Sequence, residues 1–367
     1  MKVAAAMLFC RRPPMKPTSP TGGNRAHAAW QPRVGDWVEV ISAPEILATL
    51  DDHGDLAHLP FMPEMLKYSG QRFQVTASAH KTCDTARRTG GRKLEDTVHL
   101  ADLRCDGSAH GGCQAECLLF WKSAWLRPAE AAKSVPASSP ELERLLERNT
   151  GTVQPGGKVR YRCQALQLFS ATEPLRWWDV RQYWEDVRSG NVPVSRALTI
   201  LFLSWVYQLR RLPIGYRASV WVYEKVHQLV RGEPDPHLRG TIPTGHPTPD
   251  ERLDLAVGEW VEIRSKQQIE GTLDQHNRNR GLNIDEEMTT FCGERRRVRT
   301  RVNRIINEQT GEMMEFRNPC IVLDGVVCRG EYAAGRLMCP RRITAYWREI
   351  WLRRADAEVS PSTERSA

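Results

Sequence analysis

No run of about 18 apolar residues occurs in this 367-residue chain, so no membrane-spanning helix is expected. The first residues offer only a short apolar piece, Val3 to Cys10, behind a single lysine. That is too short and too poorly flanked for a secretory leader, and a cytoplasmic setting with reduced thiols is the expectation. Also missing are the Gly-x-Ser-x-Gly nucleophile elbow, the phosphate-cradling glycine loop and the His-Glu-x-x-His helix. Catalytic residues are therefore unknown and whether the chain is an enzyme stays open, since scattered Asp and Glu cannot be paired without geometry.

What the chain does contain is itself, twice. Val34-Gly35-Asp36-Trp37-Val38-Glu39-Val40 returns 223 residues later as Val257-Gly258-Glu259-Trp260-Val261-Glu262-Ile263. The offset holds without a gap through Ile46/Ile269, Asp51/Asp274, Glu64/Glu287, Gly70/Gly293 and Cys105/Cys328. Three residues are then inserted, and pairing resumes at Cys113/Cys339, Trp121/Trp347 and Trp125/Trp351. A duplication of this length implies two copies of one fold, each building its own core. The expected layout is a disordered N-terminus (1–30), a first repeat (31–130), a helical insert (131–232), a proline-rich linker (233–252), a second repeat (253–355) and a disordered tail (356–367).

Within each copy the signals are mostly β. Trp37 to Val40 reads as a strand after a Gly-Asp turn, with Trp37 and Trp260 as expected core anchors. Ser42 and Ser265 can cap a short helix that sets Ile46 and Leu50, or Ile269 and Leu273, on one face. Cys320 to Cys328 reads as a hairpin around Asp324-Gly325. Each copy closes on Trp-x-x-x-Trp-Leu-Arg. In the middle segment, Trp177 should begin one helix and Ser195 cap a second, apolar nearly all round over 198–207. A helix of that kind is buried between other elements or laid on a membrane surface; burial between the repeats is the simpler expectation.

The opening Gly-Asp-Trp-Val-Glu-Val strand, the later Gly-x-Arg-x-x-Val strand and the closing Trp-Leu strand resemble a small SH3-like barrel, as in KOW-type RNA-binding modules and the β-subunit of nitrile hydratase. The resemblance implies an α+β chain in which two homologous SH3-like β-barrel domains flank a helical middle segment. The chain also resembles uncharacterised bacterial proteins that carry the phrase Cys105-Asp106-Gly107-Ser108-Ala109-His110-Gly111-Gly112-Cys113.

Four of the ten cysteines fall in each repeat. In the first, His80, Cys83, His99, Cys105, His110, Cys113 and Cys117 gather thiolates and imidazoles within forty residues, a donor set suited to zinc or, alternatively, an iron–sulfur cluster. Glycines 107, 111 and 112 allow a tight turn around a ligand. Cys105 to His110 is also similar to the motif of CDGSH-type iron–sulfur proteins. Here, however, Ala109 separates Ser108 from His110 and no Cys-x-Cys precedes Cys105, so that family's ligand set does not transfer. In the second copy only Cys328 and Cys339 align with this group. Either that copy rebuilds a site with Cys292 and Cys320, or a metal serves the first copy alone, or the aligned pair is core packing.

Net charge is +8, which suits an anionic partner. Arg295, Arg296, Arg297, Arg299 and Arg301 form a dense basic run that is either a solvated strand face or a nucleic-acid contact. Trp177, Trp178 and Trp184 beside Arg176 and Arg181 are either core or a stacking surface. Together these features point to a non-catalytic binding or scaffold protein with a metal site in repeat 1 and a protein partner. Nucleic-acid binding and a metal- or iron–sulfur-dependent redox enzyme, or its accessory subunit, are the alternatives. A membrane-surface contact through 196–211 is a further one.

Overall fold

Strand register repeats between the two halves. Trp37–Val40 runs antiparallel between Arg72–Ser78 and Leu126–Pro128, with Trp37 opposite Gln74 and Val40 opposite Leu126. Trp260–Ile263 does the same between Arg295–Ile306 and Leu352–Arg354, with Trp260 opposite Arg297 and Ile263 opposite Leu352. On their other edges, where Arg72–Ser78 pairs with Thr97–Leu100 and Arg295–Ile306 with Met313–Leu323, both ladders shift register at the matching place, between Val75 and Ala77 and between Val298 and Thr300. Gly35 and Gly258 enter these strands at φ 96° and 87°, and their N–H groups donate to the Val75 and Val298 carbonyls at 2.9 and 2.8 Å. Glycine adopts that backbone without strain, which is why the opening phrase recurs.

The computed structural model describes residues 30–130, 138–209, 216–233, 235–333 and 335–355. From Gln31 onward they belong to one compact unit. The expected disordered ends lie outside the described residues, apart from Trp30, as does the 196–211 stretch beyond Leu209. The fold is mixed α+β, with several small antiparallel sheets and a half-barrel.

Each first strand leads into a short helix, Ala43–Leu47 or Lys266–Glu270. The Ser42 N–H donates to the Glu45 carboxylate at 2.9 Å and the Ser265 N–H to Gln268 Oε1 at 3.0 Å, so the same cap starts both. Just past each helix, the Thr49 and Thr272 hydroxyls accept the indole N–H of Trp125 and Trp351 at 3.1 and 2.9 Å. These tryptophans, with Trp121 and Trp347, are fully buried. Trp37 is not the expected anchor. It is 59 % exposed, because Val38 and Val40 take the inward face of the strand and leave Trp37 on the other side. Trp260 is half-buried.

The halves then diverge. Arg295–Ile306 and Met313–Leu323 form one long hairpin, so Asp324-Gly325 ends a strand rather than closing the hairpin expected over 320–328. In the first half, Lys81–Asp84 and Gly90–Lys93 form a separate hairpin, and Glu173–Leu175 of the middle segment adds a third strand. The middle segment is therefore not purely helical; Gly151–Val153 and Val159–Tyr161 form another strand pair. Its helices are Pro140–Arg148, Gln164–Gln167, Arg181–Arg188, Val194–Leu209 and Tyr216–Arg231. The proline-rich stretch lies against the second half: Leu238 joins that core, and the Ile242 N–H donates to the Leu273 carbonyl at 3.0 Å.

The halves meet face to face. Thr85 Oγ1 donates to Glu308, a residue 223 positions away that is its own counterpart. Around that contact, Ile306 N–H donates to Cys113 Sγ at 3.3 Å, while the equivalent positions, Cys83 and Cys339, meet side chain to side chain. Position 83 of one half thus meets position 113 of the other, in both directions. That reciprocity is the signature of an approximate two-fold interface, here within one chain.

Candidate metal centre

A tight turn builds the site. The Cys105 N–H donates to the Cys117 carbonyl at 2.9 Å, and the Gly107 carbonyl accepts from His110 and Gly112 at 3.0 and 2.9 Å. Gly107 has φ 71°, and a Cβ there would lie 1.9 Å from the Cys113 carbonyl oxygen, so no other residue fits. The turn folds His110 back onto Cys105, with Cys105 Sγ and His110 Nδ1 3.9 Å apart. Glu64, from the 3-10 turn Pro63–Tyr68, closes the group, its Oε1 lying 3.7 Å from the same nitrogen.

All three donor atoms lie within 4.8 Å of one another. Ligands on a zinc tetrahedron, with bonds of about 2.0–2.3 Å, stand roughly 3.3–3.8 Å apart. Glu64 and His110 are buried, and neither Glu64 oxygen nor His110 Nε2 has a hydrogen-bond partner among the described residues. A buried carboxyl whose polar neighbours are only the Cys105 thiol and, at 3.7 Å, the His110 ring is poorly compensated, and a bound cation offsets that cost. Burial, then Glu64, pushes the Cys105 thiol well above its ordinary pKa; a metal would be needed to draw the thiolate out. These residues can hold a metal ion.

The second half is an internal control. Gly330 repeats the turn, with φ 67° and a Cβ position 2.6 Å from the Cys339 nitrogen. Its acid, Glu287, accepts the backbone N–H groups of Tyr332 and Arg329 at 2.6 and 3.3 Å. At the offset of His110 stands Ala333. There the carboxylate is satisfied by protein and one ligand is gone.

The other metal ligands expected from sequence go elsewhere. Cys113 and Cys117 line a cavity of about 40 Å³ with Cys105, His110 and Glu64, but they are not part of the three-atom cluster. Burial pushes the Cys117 thiol up to about 12. Cys83 is drawn to the seam between the halves, where contact with Cys339 and then the charges of Arg341 and Arg336 lower its pKa. His80 Nε2 sits 3.3 Å from Asp186, and burial, with Lys81, brings its pKa down to about 4. His99 is fully buried, its Nδ1 2.8 Å from the Leu119 carbonyl. Glu64 and Cys163, which lines the same cavity, were not anticipated. The retention of Glu64 as Glu287 was the only available signal.

His99 makes a pH prediction. Burial lowers its pKa to about 4, so between its unfolded value near 6.5 and 4 the unfolded chain binds a proton that the folded chain refuses. Stability therefore falls as pH falls through this window, by about 2–3 kcal/mol for this one group. Urea midpoints measured at about pH 7 and about pH 4.5 should show His99→Gln losing less stability between the two than wild type. Equal losses would remove His99 from the acid response.

In the basic run, Arg296 pairs with Glu294, Arg299 with Glu116 at 2.8 Å and Asp102 at 3.1 Å, and Arg301 with Glu349 at 2.8 Å. Arg297 lies 5.8 Å over the Trp260 ring. Arg295 and Arg297 have no carboxylate partner among the described residues.

Comparison with known proteins finds no match to a family model, a curated protein or a solved structure.

Proposed function

We propose that the protein is a non-catalytic binding scaffold of two SH3-like halves in which zinc, held by Glu64, Cys105 and His110, fixes the 105–113 turn of the first half. The buried Glu64 carboxyl, gathered with Cys105 and His110 and lacking any closer donor among the described residues, carries this reading. Mixed oxygen, sulfur and nitrogen donors favour zinc, whereas iron–sulfur clusters are held chiefly by thiolates. Three protein ligands leave a fourth position for water or a partner's group. Elemental analysis of protein purified without chelator should give one zinc per chain and no visible absorption band. Iron with a visible band, or no metal, overturns it.

A second reading concerns the Val194–Leu209 and Tyr216–Arg231 helices. No helix among the described residues is long and apolar enough to cross a membrane, yet the first is not enclosed between the halves as its composition suggested. Ala197, Ile200, Leu203 and Val206 are buried, while Val194, Leu198, Phe202 and Trp205 form an exposed stripe on the opposite side. Trp221, Val222 and Leu229 are exposed on the second helix, interrupted by exposed Lys225. The tryptophans 177, 178 and 184 are exposed too, not core. Over 176–231 nine Lys and Arg face four Asp and Glu. Tryptophan-bearing apolar stripes with excess basic charge fit the surface of an anionic bilayer. Binding to phosphatidylserine-containing liposomes should fall at least about fivefold in Phe202→Ser/Trp205→Ser. Failure of wild type to sediment with them, or a dimer in solution that the double variant dissolves, counts against the bilayer.

A further inference from the structure

A cavity of about 590 Å³ opens where the two halves and the middle segment converge. Its wall carries five arginines, Arg104, Arg196, Arg299, Arg329 and Arg342, against one carboxylate, Asp102. Three of the guanidiniums are partly neutralised. Asp102 is shared by Arg104 at 2.8 Å and Arg299 at 3.1 Å, Arg299 also reaches Glu116, and Arg196 pairs with Glu331. Burial pushes the Asp102 carboxyl up, but the two arginines more than reverse this and hold it below its ordinary value.

Arg329 and Arg342 have no carboxylate within ion-pair distance among the described residues. Both are exposed. Arg329 lies 4.6 Å over the Phe291 ring. The Arg342 backbone is in the left-handed region at φ 45°, where its carbonyl faces the Arg104 guanidinium at 3.4 Å. Ile200, Leu323, Val327 and Met338 add apolar lining to the same cavity.

We propose that this cleft binds a small organic phosphate, with Arg329 and Arg342 on the phosphate oxygens and the apolar lining against the rest of the molecule. The volume suits a small ligand. A concave surface lined by one sign of charge focuses its potential, and guanidinium forks match phosphate oxygens geometrically. The position favours it as well: a seam between two related halves gathers side chains that neither half could supply alone. The site uses neither Glu64 nor His110, so it stands or falls independently of the zinc reading.

Isothermal titration of the full chain with pyrophosphate and with ATP at low ionic strength tests this. Both should bind, ATP more tightly. Arg329→Gln and Arg342→Gln should each weaken binding about tenfold, and because both residues are exposed the variants should melt with wild type. Arg295→Gln/Arg297→Gln, on the basic run outside the cleft, should bind as wild type does. Three results would overturn the proposal: no heat with either probe, equal weakening by the basic-run variant, or binding of a short single-stranded oligonucleotide while pyrophosphate and ATP stay inert.

Discussion

With zinc bound, Glu64→Gln melts below wild type; with zinc stripped by chelator, the order reverses and the variant melts higher. The sign change follows from the two states of one carboxylate. In the metal-free protein Glu64 is a buried carboxyl whose oxygens have no hydrogen-bond partner among the described residues, and an amide that can both donate and accept relieves that cost, by about 1–3 kcal/mol. In the loaded protein the same group is a ligand, and its loss forfeits the linkage energy of the metal. That energy is about 4 kcal/mol where free zinc stands near a thousandfold above its dissociation constant. His110→Ala, which installs the residue found at Ala333, should lose zinc without the gain in the chelated state. Cys328→Ser should leave zinc content unchanged, because Cys328 lies beside a carboxylate already held by backbone N–H groups. Melting curves with and without chelator, paired with zinc content, check all three. A Glu64→Gln variant that retains a full equivalent of zinc would show that the ion, if bound, sits elsewhere.

The doubling was legible because the constraints that create it are local. A glycine at positive φ, a Ser cap and an indole donating to a threonine recur at fixed spacing, and the register follows from them. Trp37 and Val38 are both apolar and adjacent. Alternation then cannot say which faces inward, and the structure gives the inside to Val38 and Val40. Cys105 and His110 are legible together because they lie five positions apart on one turn. Glu64 was not assigned, since only the fold carries it across forty residues to that turn. Cys83 and His99 lie within the same stretch of sequence, but strand pairing sends one to the seam and the other to a backbone carbonyl. For the Val194–Leu209 helix, composition alone cannot distinguish a face buried in the chain from one left to meet something outside it.

Trp125→Ala should cost about 3–5 kcal/mol, whereas Trp37→Ala should cost about 1 kcal/mol or less, although Trp37 lies on the first strand and Trp125 on the 3-10 turn that leads into the strand paired with it. Trp125 is fully buried, with Phe61 edge-on at 5.1 Å, so truncation opens a cavity that rigid neighbours cannot refill. It also leaves the Thr49 hydroxyl without the indole it accepts. Trp351 occupies the matching place in the second half, beside Trp347 at 6.3 Å and bonded to Thr272, and Trp351→Ala should cost a similar amount. The two positions belong to separate cores, so their costs should add in the double variant within a few tenths of a kcal/mol. Urea unfolding of wild type, the three single variants and the double variant measures this directly. Equal costs for Trp37 and Trp125 would misplace the first core, and a double variant far from additive would mean that the halves do not each pack around a tryptophan of their own.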